Sequence, residues 1–205
     1  MTATLTPPEQ STEARVLHFA PIIKKFTEQE FFDFCMLNFR DSRIELTSAG
    51  DLIIMPPTGW KTGVRNFKLI TSFGAWVEKD GTGKGSDSST VFTLPNGAKR
   101  SPDMAWVRNE RWQALKEEER ERFPPLCPDF VVELRSPSDS PRLLQEKMQE
   151  YMENGAQLGW LIDPFEKKVY VYRPQTAVEI LDDPQTISGD PLLPGFVLDV
   201  RTLWE

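Results

Sequence analysis

The sequence feature that most constrains the fold is a short apolar run, Asp129 to Leu134 (DFVVEL), with Glu133 near its end. A nearly continuous apolar run of this length is typical of a central strand that is covered on both faces. Such a strand cannot hold an ionised glutamate without a partner, because burial of an unpaired charge costs several kcal/mol. Glu133 therefore needs a cation, which could be Arg135 two residues along the strand, a lysine or a metal ion.

The rest of the chain alternates between helical and strand patterns. Helices are predicted at residues 28–39, 59–79, 109–122 and 139–154, and strands at 44–46, 52–55, 90–94, 102–107, 129–134, 160–163 and 169–172. Thr27 and Glu30 have the spacing of a capping box before the first helix. Asn96-Gly97 predicts a turn that joins 90–94 and 102–107 into a hairpin. This order predicts a mixed α/β fold, with a flexible N-terminal tail at 1–20 and a single domain at 21–205.

Composition and charge narrow the classes of function. The single histidine excludes a zinc site made of histidines, and the two distant cysteines are expected to be reduced thiols of a cytoplasmic protein. No apolar run approaches the roughly 20 residues of a membrane helix, and the N-terminus lacks the apolar stretch of a secretory signal. The net charge of −7 argues against tight, sequence-independent DNA binding by the bare monomer.

Several motifs resemble those of a known nuclease family. Pro102-Asp103, about thirty residues, and then Glu133-x-Arg135 resemble the PD-(D/E)XK nuclease superfamily, with arginine where lysine is usual. The succession PDFVVELRSPSD, EKMQEYMENGAQLGWLIDP and VYVYRP is similar to the Uma2 (Uma-two) family, described as "putative restriction endonucleases". The resemblance runs from about Phe26 to the C-terminus, and the ELRSPSD...EKMQEY block is its specific part.

The resemblance implies a restriction-endonuclease-like core, a central mixed β-sheet flanked by helices, and Mg²⁺-dependent hydrolysis of DNA, with Mn²⁺ as a substitute. Asp103 and Glu133 would bind the metal, with Glu45 as a further acidic ligand. The catalytic cation would be Arg135 or, on the following helix, Lys147. Arginine stays protonated and cannot act as a base, but it could orient water or stabilise negative charge. A homodimer is expected, because cutting both strands favours two sites.

The paired carboxylates also have a physical reason to bind a cation. Two carboxylates about 4 Å apart repel by roughly 4 kcal/mol at an effective dielectric near 20, so they protonate or capture a cation. Mg²⁺ suits an all-oxygen site.

Two other functions remain open. The chain could be a degenerate nuclease that binds nucleic acid or assembles with partners without catalysis, as arginine in the lysine position suggests. It could also be a glycosidase with a carboxylate pair, which metal independence would reveal. Lys61, Arg65 and Lys68 lie on one side of the second helix and could contact phosphates, although a solvated helix face is their default explanation.

Overall fold

The computed structural model describes residues 15–18, 27–38 and 43–205. Its helices and strands follow in this order: β1 (Arg15–Leu17), α1 (Glu28–Asn38), β2 (Arg43–Leu46), β3 (Leu52–Met55), α2 (Trp60–Asp80), β4 (Gly83–Asp87), β5 (Phe92–Thr93), β6 (Lys99–Arg100), β7 (Met104–Arg108), α3 (Asn109–Gln113), α4 (Glu117–Arg120), β8 (Phe130–Leu134), α5 (Pro141–Glu153), β9 (Leu158–Asp163), β10 (Lys168–Tyr172), β11 (Glu179–Asp182), β12 (Thr186–Ser188), β13 (Val197–Asp199) and a closing 3-10 helix (Val200–Leu203). Within these residues, no helix is both long and apolar enough to cross a membrane.

The largest sheet has six strands in the order β11-β10-β9-β8-β7-β4. β8 and β9 are parallel, whereas the other neighbouring pairs of this sheet are antiparallel. The sheet is therefore mixed, and the apolar run of β8 lies at its centre, as a strand without polar alternation requires. A smaller sheet has the order β1-β3-β2-β6-β5, and β12 pairs with β13.

Helices cover both faces of the six-stranded sheet, and the side chains of β8 point alternately toward one face and the other. Phe130, Val132 and Leu134 are fully or almost fully buried in a core that includes residues of α2. Val131 points the other way and is buried in a second core with Met148 of α5. Each such buried side chain contributes roughly 1.5–3 kcal/mol, so the two cores fix both helices against the sheet.

The helix boundaries follow local capping chemistry. The predicted capping box is present, since Thr27 N–H donates to Glu30 Oε2 at 2.8 Å and Glu30 N–H donates to Thr27 Oγ1 at 3.2 Å. The predicted end of that helix at Phe39 lies outside the described residues. α5 begins at Pro141, where proline's missing N–H has no intrahelical partner to lose.

The predicted hairpin between residues 90–94 and 102–107 is wrong. The Asn96-Gly97 turn instead joins the two-residue strands β5 and β6 in the smaller sheet. β7 belongs to the six-stranded sheet, where it pairs with β4 and β8. The predicted helix 109–122 is divided into α3 and α4.

The glycine-rich segment before β7 is the edge strand β4. Gly83 lies under the indole of Trp106, and a Cβ on this glycine would come within 2.3 Å of the ring. The absence of a side chain at Gly83 thus lets a large aromatic group pack across the sheet edge.

Part of the predicted N-terminal tail is also ordered into the smaller sheet. Arg15–Leu17 forms β1, which pairs antiparallel with β3. Residues 1–14 and 19–20 of that tail lie outside the described residues.

Candidate active site

Asp103 and Glu133 lie opposite each other at the ends of neighbouring strands. The register of β7 and β8 pairs Met104 with Val132, and one further step sets Asp103 opposite Glu133. Residues directly opposite on antiparallel strands share a face, with Cα atoms about 4.5–5.5 Å apart. Both side chains are buried, and both line one open cavity of about 460 Å³.

The cavity lies between the two helices that flank the sheet. Its other walls include residues 55–59 before α2, Thr62 and Asn66 of α2, residues 136–139 after β8, and Lys147 of α5. Two acidic side chains from the sheet and one basic side chain from a helix therefore meet at the same opening.

Asp103 is bound by a cation and by the backbone. Its Oδ1 accepts a hydrogen bond from Arg43 Nη1 at 2.9 Å, and its Oδ2 accepts one from the N–H of Leu134 at 2.8 Å. Arg43 Nη2 also donates to the carbonyl of Ser101 at 2.8 Å. Sequence reasoning missed Arg43, although its position two residues before Glu45 in β2 places both on one strand face.

Glu133 is held from α5. Lys147 Nζ lies 2.8 Å from Glu133 Oε1, and the Tyr151 hydroxyl donates to the same oxygen at 3.1 Å. Lys147 and Tyr151 are one helical turn apart, so they share one face of α5. Burial raises the pKa of Glu133 to about 7 despite the opposing charge of Lys147, and the charge of Asp103 adds to the rise.

Glu45 is already bound on both carboxylate oxygens. Its Oε1 lies 2.6 Å from Lys147 Nζ and accepts from Ser101 N–H at 2.9 Å, while its Oε2 accepts from Arg100 Nη1 at 3.0 Å. Burial opposes ionisation, but Lys147 and Arg100 together hold the pKa of Glu45 at about 2. The role of Glu45 as a metal ligand remains a prediction, and these contacts argue against it because two cations already neutralise the carboxylate.

These side chains form a charge cluster in which anions outnumber cations. Its members are the carboxylates Glu45, Asp103, Glu133 and Glu150 and the cations Arg43, Arg100 and Lys147. Arg100, which joins Glu45 to Glu150, was also missed, since its partners lie 55 and 50 residues away. When all seven groups are ionised, one negative charge remains, and a proton or an added cation would neutralise it.

Arg135 does not share this cluster. Its Nη1 donates to Asp163 Oδ2 at 2.7 Å, and its guanidinium lies 5.3 Å from the centroid of the Phe165 ring. Asp163 is a buried carboxylate that requires a cation, and Arg135 supplies it. Of the two cations predicted to reach the carboxylates, only Lys147 does so among the contacts that the structure describes.

The site fits a small, hard metal ion better than one that needs many protein ligands. Within the described chain, no three Asp, Glu, His or Cys side chains are arranged to share a metal. Mg²⁺ keeps several waters and needs only one or two carboxylates. A third oxygen is offered by Leu134, because the continued register sets Pro102 opposite it and proline has no N–H to bind its carbonyl. Asp103, Glu133 and the Leu134 carbonyl thus form an all-oxygen set suited to Mg²⁺ or Mn²⁺.

Comparison with known proteins gives matches to a family model and to solved structures. A family model, "Uma2: Putative restriction endonuclease", matches residues 28–201. The crystal structure of "a putative nuclease belonging to DUF820" from Anabaena variabilis ATCC 29413 matches with a TM-score of 0.71 and 22% identity, covering 87% of this chain and 97% of that chain. No curated protein matches by sequence. The structural likeness confirms the predicted fold class, a restriction-endonuclease-like mixed sheet flanked by helices.

Proposed function

Because the chain belongs to the Uma2 family of restriction-endonuclease-like proteins, as its motifs predicted, we propose that it hydrolyses DNA phosphodiester bonds with the aid of Mg²⁺. The observation that carries this proposal is the position of Lys147 Nζ, 2.8 Å from Glu133 Oε1. With Asp103 opposite Glu133, two carboxylates and an ammonium group surround one open cavity. In metal-assisted phosphodiester hydrolysis, carboxylates can hold the metal and a cation can stabilise the negative charge that develops on the phosphate.

The metal would be held by Asp103, Glu133 and the carbonyl of Leu134. When bound, Mg²⁺ supplies a water of lowered pKa and offsets the negative charge of the phosphate. Its two positive charges would more than offset the single negative charge that remains in the charge cluster.

Lys147 serves this chemistry as a charged donor and not as a base. Burial opposes protonation, but contacts with Glu133 and Glu45 raise the pKa of Lys147, so its amine remains an ammonium. An ammonium that faces the cavity can orient the attacking water or stabilise the developing charge on the phosphate. Tyr151 is a positioning residue, since burial raises the pKa of its phenol, which stays neutral and donates to Glu133.

A second candidate function is DNA binding without hydrolysis. The observation in its favour is that Arg43 and Lys147 already bind Asp103 Oδ1 and Glu133 Oε1. A metal must compete with these cations for the remaining lone pairs. If it fails, the cavity keeps its shape and charge but has no activated water.

A plasmid-nicking assay with Mg²⁺, Mn²⁺ and EDTA separates the two functions. We expect the wild type to nick in either metal and not in EDTA. Lys147→Gln and Glu133→Gln should each reduce the rate by about 100-fold or more, the usual loss for a group that stabilises transition-state charge. The control is Arg142→Gln, which removes an exposed charge from the same helix.

Tyr151→Phe provides a milder variant if the charge substitutions impair folding, because it removes only the hydroxyl that donates to Glu133. A wild type that binds DNA but does not nick it in either metal would overturn the catalytic proposal and support the binding function.

A further inference from the structure

Arg65 of α2 is a buried cation for which the described part of the chain offers no anion. Its side chain is only 8% exposed, and it makes no hydrogen bond or ion pair with any residue that the structure describes. Its Nε atom is buried and has no hydrogen-bond partner. The Nη atoms make no hydrogen bond with the described residues either, but they are not fully buried. They are therefore the part of the guanidinium that reaches solvent.

Other buried or half-buried cations near the cavity contrast with Arg65. Arg100 and Lys147 each contact two carboxylates, and Arg135 is paired with Asp163. An unpaired buried charge is strongly unfavourable, so proteins pair such groups or place them where a ligand does so. Since Arg65 has no internal anion among the described residues, an external anion is its natural partner.

The guanidinium of Arg65 is held in place by an aromatic ring. It lies 5.5 Å from the centroid of Phe165, the ring that Arg135 also contacts. The ring belongs to a turn fixed by Asp163, whose Oδ1 accepts from the N–H groups of Phe165 and Glu166. A fixed guanidinium loses little freedom on binding, and its planar fork matches two oxygens of a phosphate.

Arg65 is not part of the cavity lining, but it is next to residues that are. Its neighbours on α2, Thr62 and Asn66, line the cavity wall. Arg135, which also contacts the Phe165 ring, lies in the sequence between Leu134 and Ser136, and both of these residues line the cavity. An extended anion that enters the cavity therefore passes close to Arg65.

We propose that Arg65 binds a backbone phosphate of the nucleic acid next to the phosphate held in the cavity. This inference rests on the proposed function for the identity of the ligand, but not on hydrolysis. Arg65 neutralises one phosphate and sets the position of the strand, while Asp103, Glu133 and Lys147 act on its neighbour.

The test is the affinity of the full chain for a short fluorescent DNA duplex, measured at several salt concentrations in Ca²⁺ and in EDTA. Arg65→Gln should weaken binding by about tenfold, the loss of one charge-assisted contact. It should also lower the slope of log affinity against log salt by about one. Arg65→Lys keeps the charge, so the slope should stay near that of the wild type.

The matched control is Lys79→Gln, which removes an exposed charge from the last turn of the same helix, about 21 Å from Arg65. It should leave the salt slope unchanged. Thermal melting without DNA gives an independent readout, because removal of an unpaired buried charge should not lower the melting temperature. A clear drop in melting temperature with an unchanged salt slope would show a structural role and overturn the inference.

The outcomes also separate this inference from nuclease activity. If the wild type nicks plasmid DNA and Arg65→Gln binds with the wild-type slope, the phosphate contact is refuted and the nuclease stands. If Arg65→Gln loses affinity and slope while the wild type never nicks, the contact stands and hydrolysis is refuted. A wild type that binds no DNA in either condition would overturn both.

Discussion

Glu133 is the residue whose charge depends most on what else occupies the cavity. It is buried beside Asp103, and its cation Lys147 is shared with Glu45. Since Glu45 is bound by a second cation, Arg100, it remains ionised, and Glu133 is the carboxylate that takes a proton. A bound metal and a proton are therefore alternative partners of Glu133.

The raised pKa of Glu133 predicts a loss of stability as the pH rises. Folding favours its protonated form, so its contribution is fully present below pH 4.5 and is lost between pH 4.5 and about 7. The loss is on the order of 3 kcal/mol. Urea denaturation at pH 5 and pH 8 should show that Glu133→Gln gains stability relative to the wild type as the pH rises. Glu153→Gln, an exposed change at the end of α5, should track the wild type.

An equal pH dependence in the wild type and Glu133→Gln would contradict this prediction. Glu45 does not confuse the measurement, because its pKa is lowered to about 2. Its contribution is lost only as the pH falls below about 4.5 toward 2.

The ligand set predicts which variants respond to metal. Metal at about one hundred times its dissociation constant should stabilise the folded protein by roughly 2.7 kcal/mol, which corresponds to a rise in melting temperature of roughly 5–11 °C. Asp103→Asn and Glu133→Gln should abolish most of the rise. Glu45→Gln should retain it, because Glu45 is occupied by Lys147 and Arg100. A rise that disappears only in Glu45→Gln would mean that the ligands are wrongly assigned.

At the level of elements, local patterns predicted those parts of the fold that local physics decides. The apolar run of β8, the capping box of α1 and the helical recurrence of α2 and α5 each lie within a short stretch of sequence. The partners of β7 do not, since β4 and β8 lie on opposite sides of it in the chain. The Asn96-Gly97 turn was recognised correctly, but it closes a shorter hairpin in the other sheet.

Two glycines next to the sheet edge should respond in opposite ways to the same substitution. Gly83→Ala should lower the free energy of unfolding by about 1–3 kcal/mol, because the added Cβ meets the rigid indole of Trp106 at 2.3 Å. Gly74→Ala, inside α2 with no neighbouring atom within 4 Å of its Cβ position, should raise it by about 1 kcal/mol. Denaturant melts of both variants test this. Destabilisation by both would show that the surroundings of Gly74 are more crowded than the structure indicates.

At the scale of the whole molecule, the site could be predicted only in part. Asp103 and Glu133 were identifiable from their motif and from the cost of burying a charge in an apolar strand, and Lys147 as one of the two cations that the family resemblance implied. Arg43 and Arg100 pair with carboxylates 60 and 55 residues away. The Arg43 pairing depends on how the smaller sheet packs beside the larger one, and the Arg100 pairing depends on the contact between β2 and β6. No local pattern contains either arrangement.

The expected homodimer also belongs to this scale and remains a prediction. Two active sites related by a twofold axis can cut both strands of a duplex. We expect light scattering to give a dimer mass for the DNA-bound protein, and linear product to appear together with nicked plasmid. A monomer mass on DNA, with nicked product only at early times, would contradict this expectation.

The ammonium group of the site, Lys147, comes from helix α5, and this has a consequence for how such a site can vary. A lysine two residues after Glu133 would have to reach the cavity from the end of β8. Here Lys147 does so from a helix, and position 135 is free to hold the β9–β10 turn through Asp163. In the proposed mechanism, the catalytic and architectural roles belong to different residues, which can change independently during evolution. The same division limits redesign: Arg135→Lys would not restore activity to a variant that lacks Lys147, because the side chain at position 135 is directed to another carboxylate.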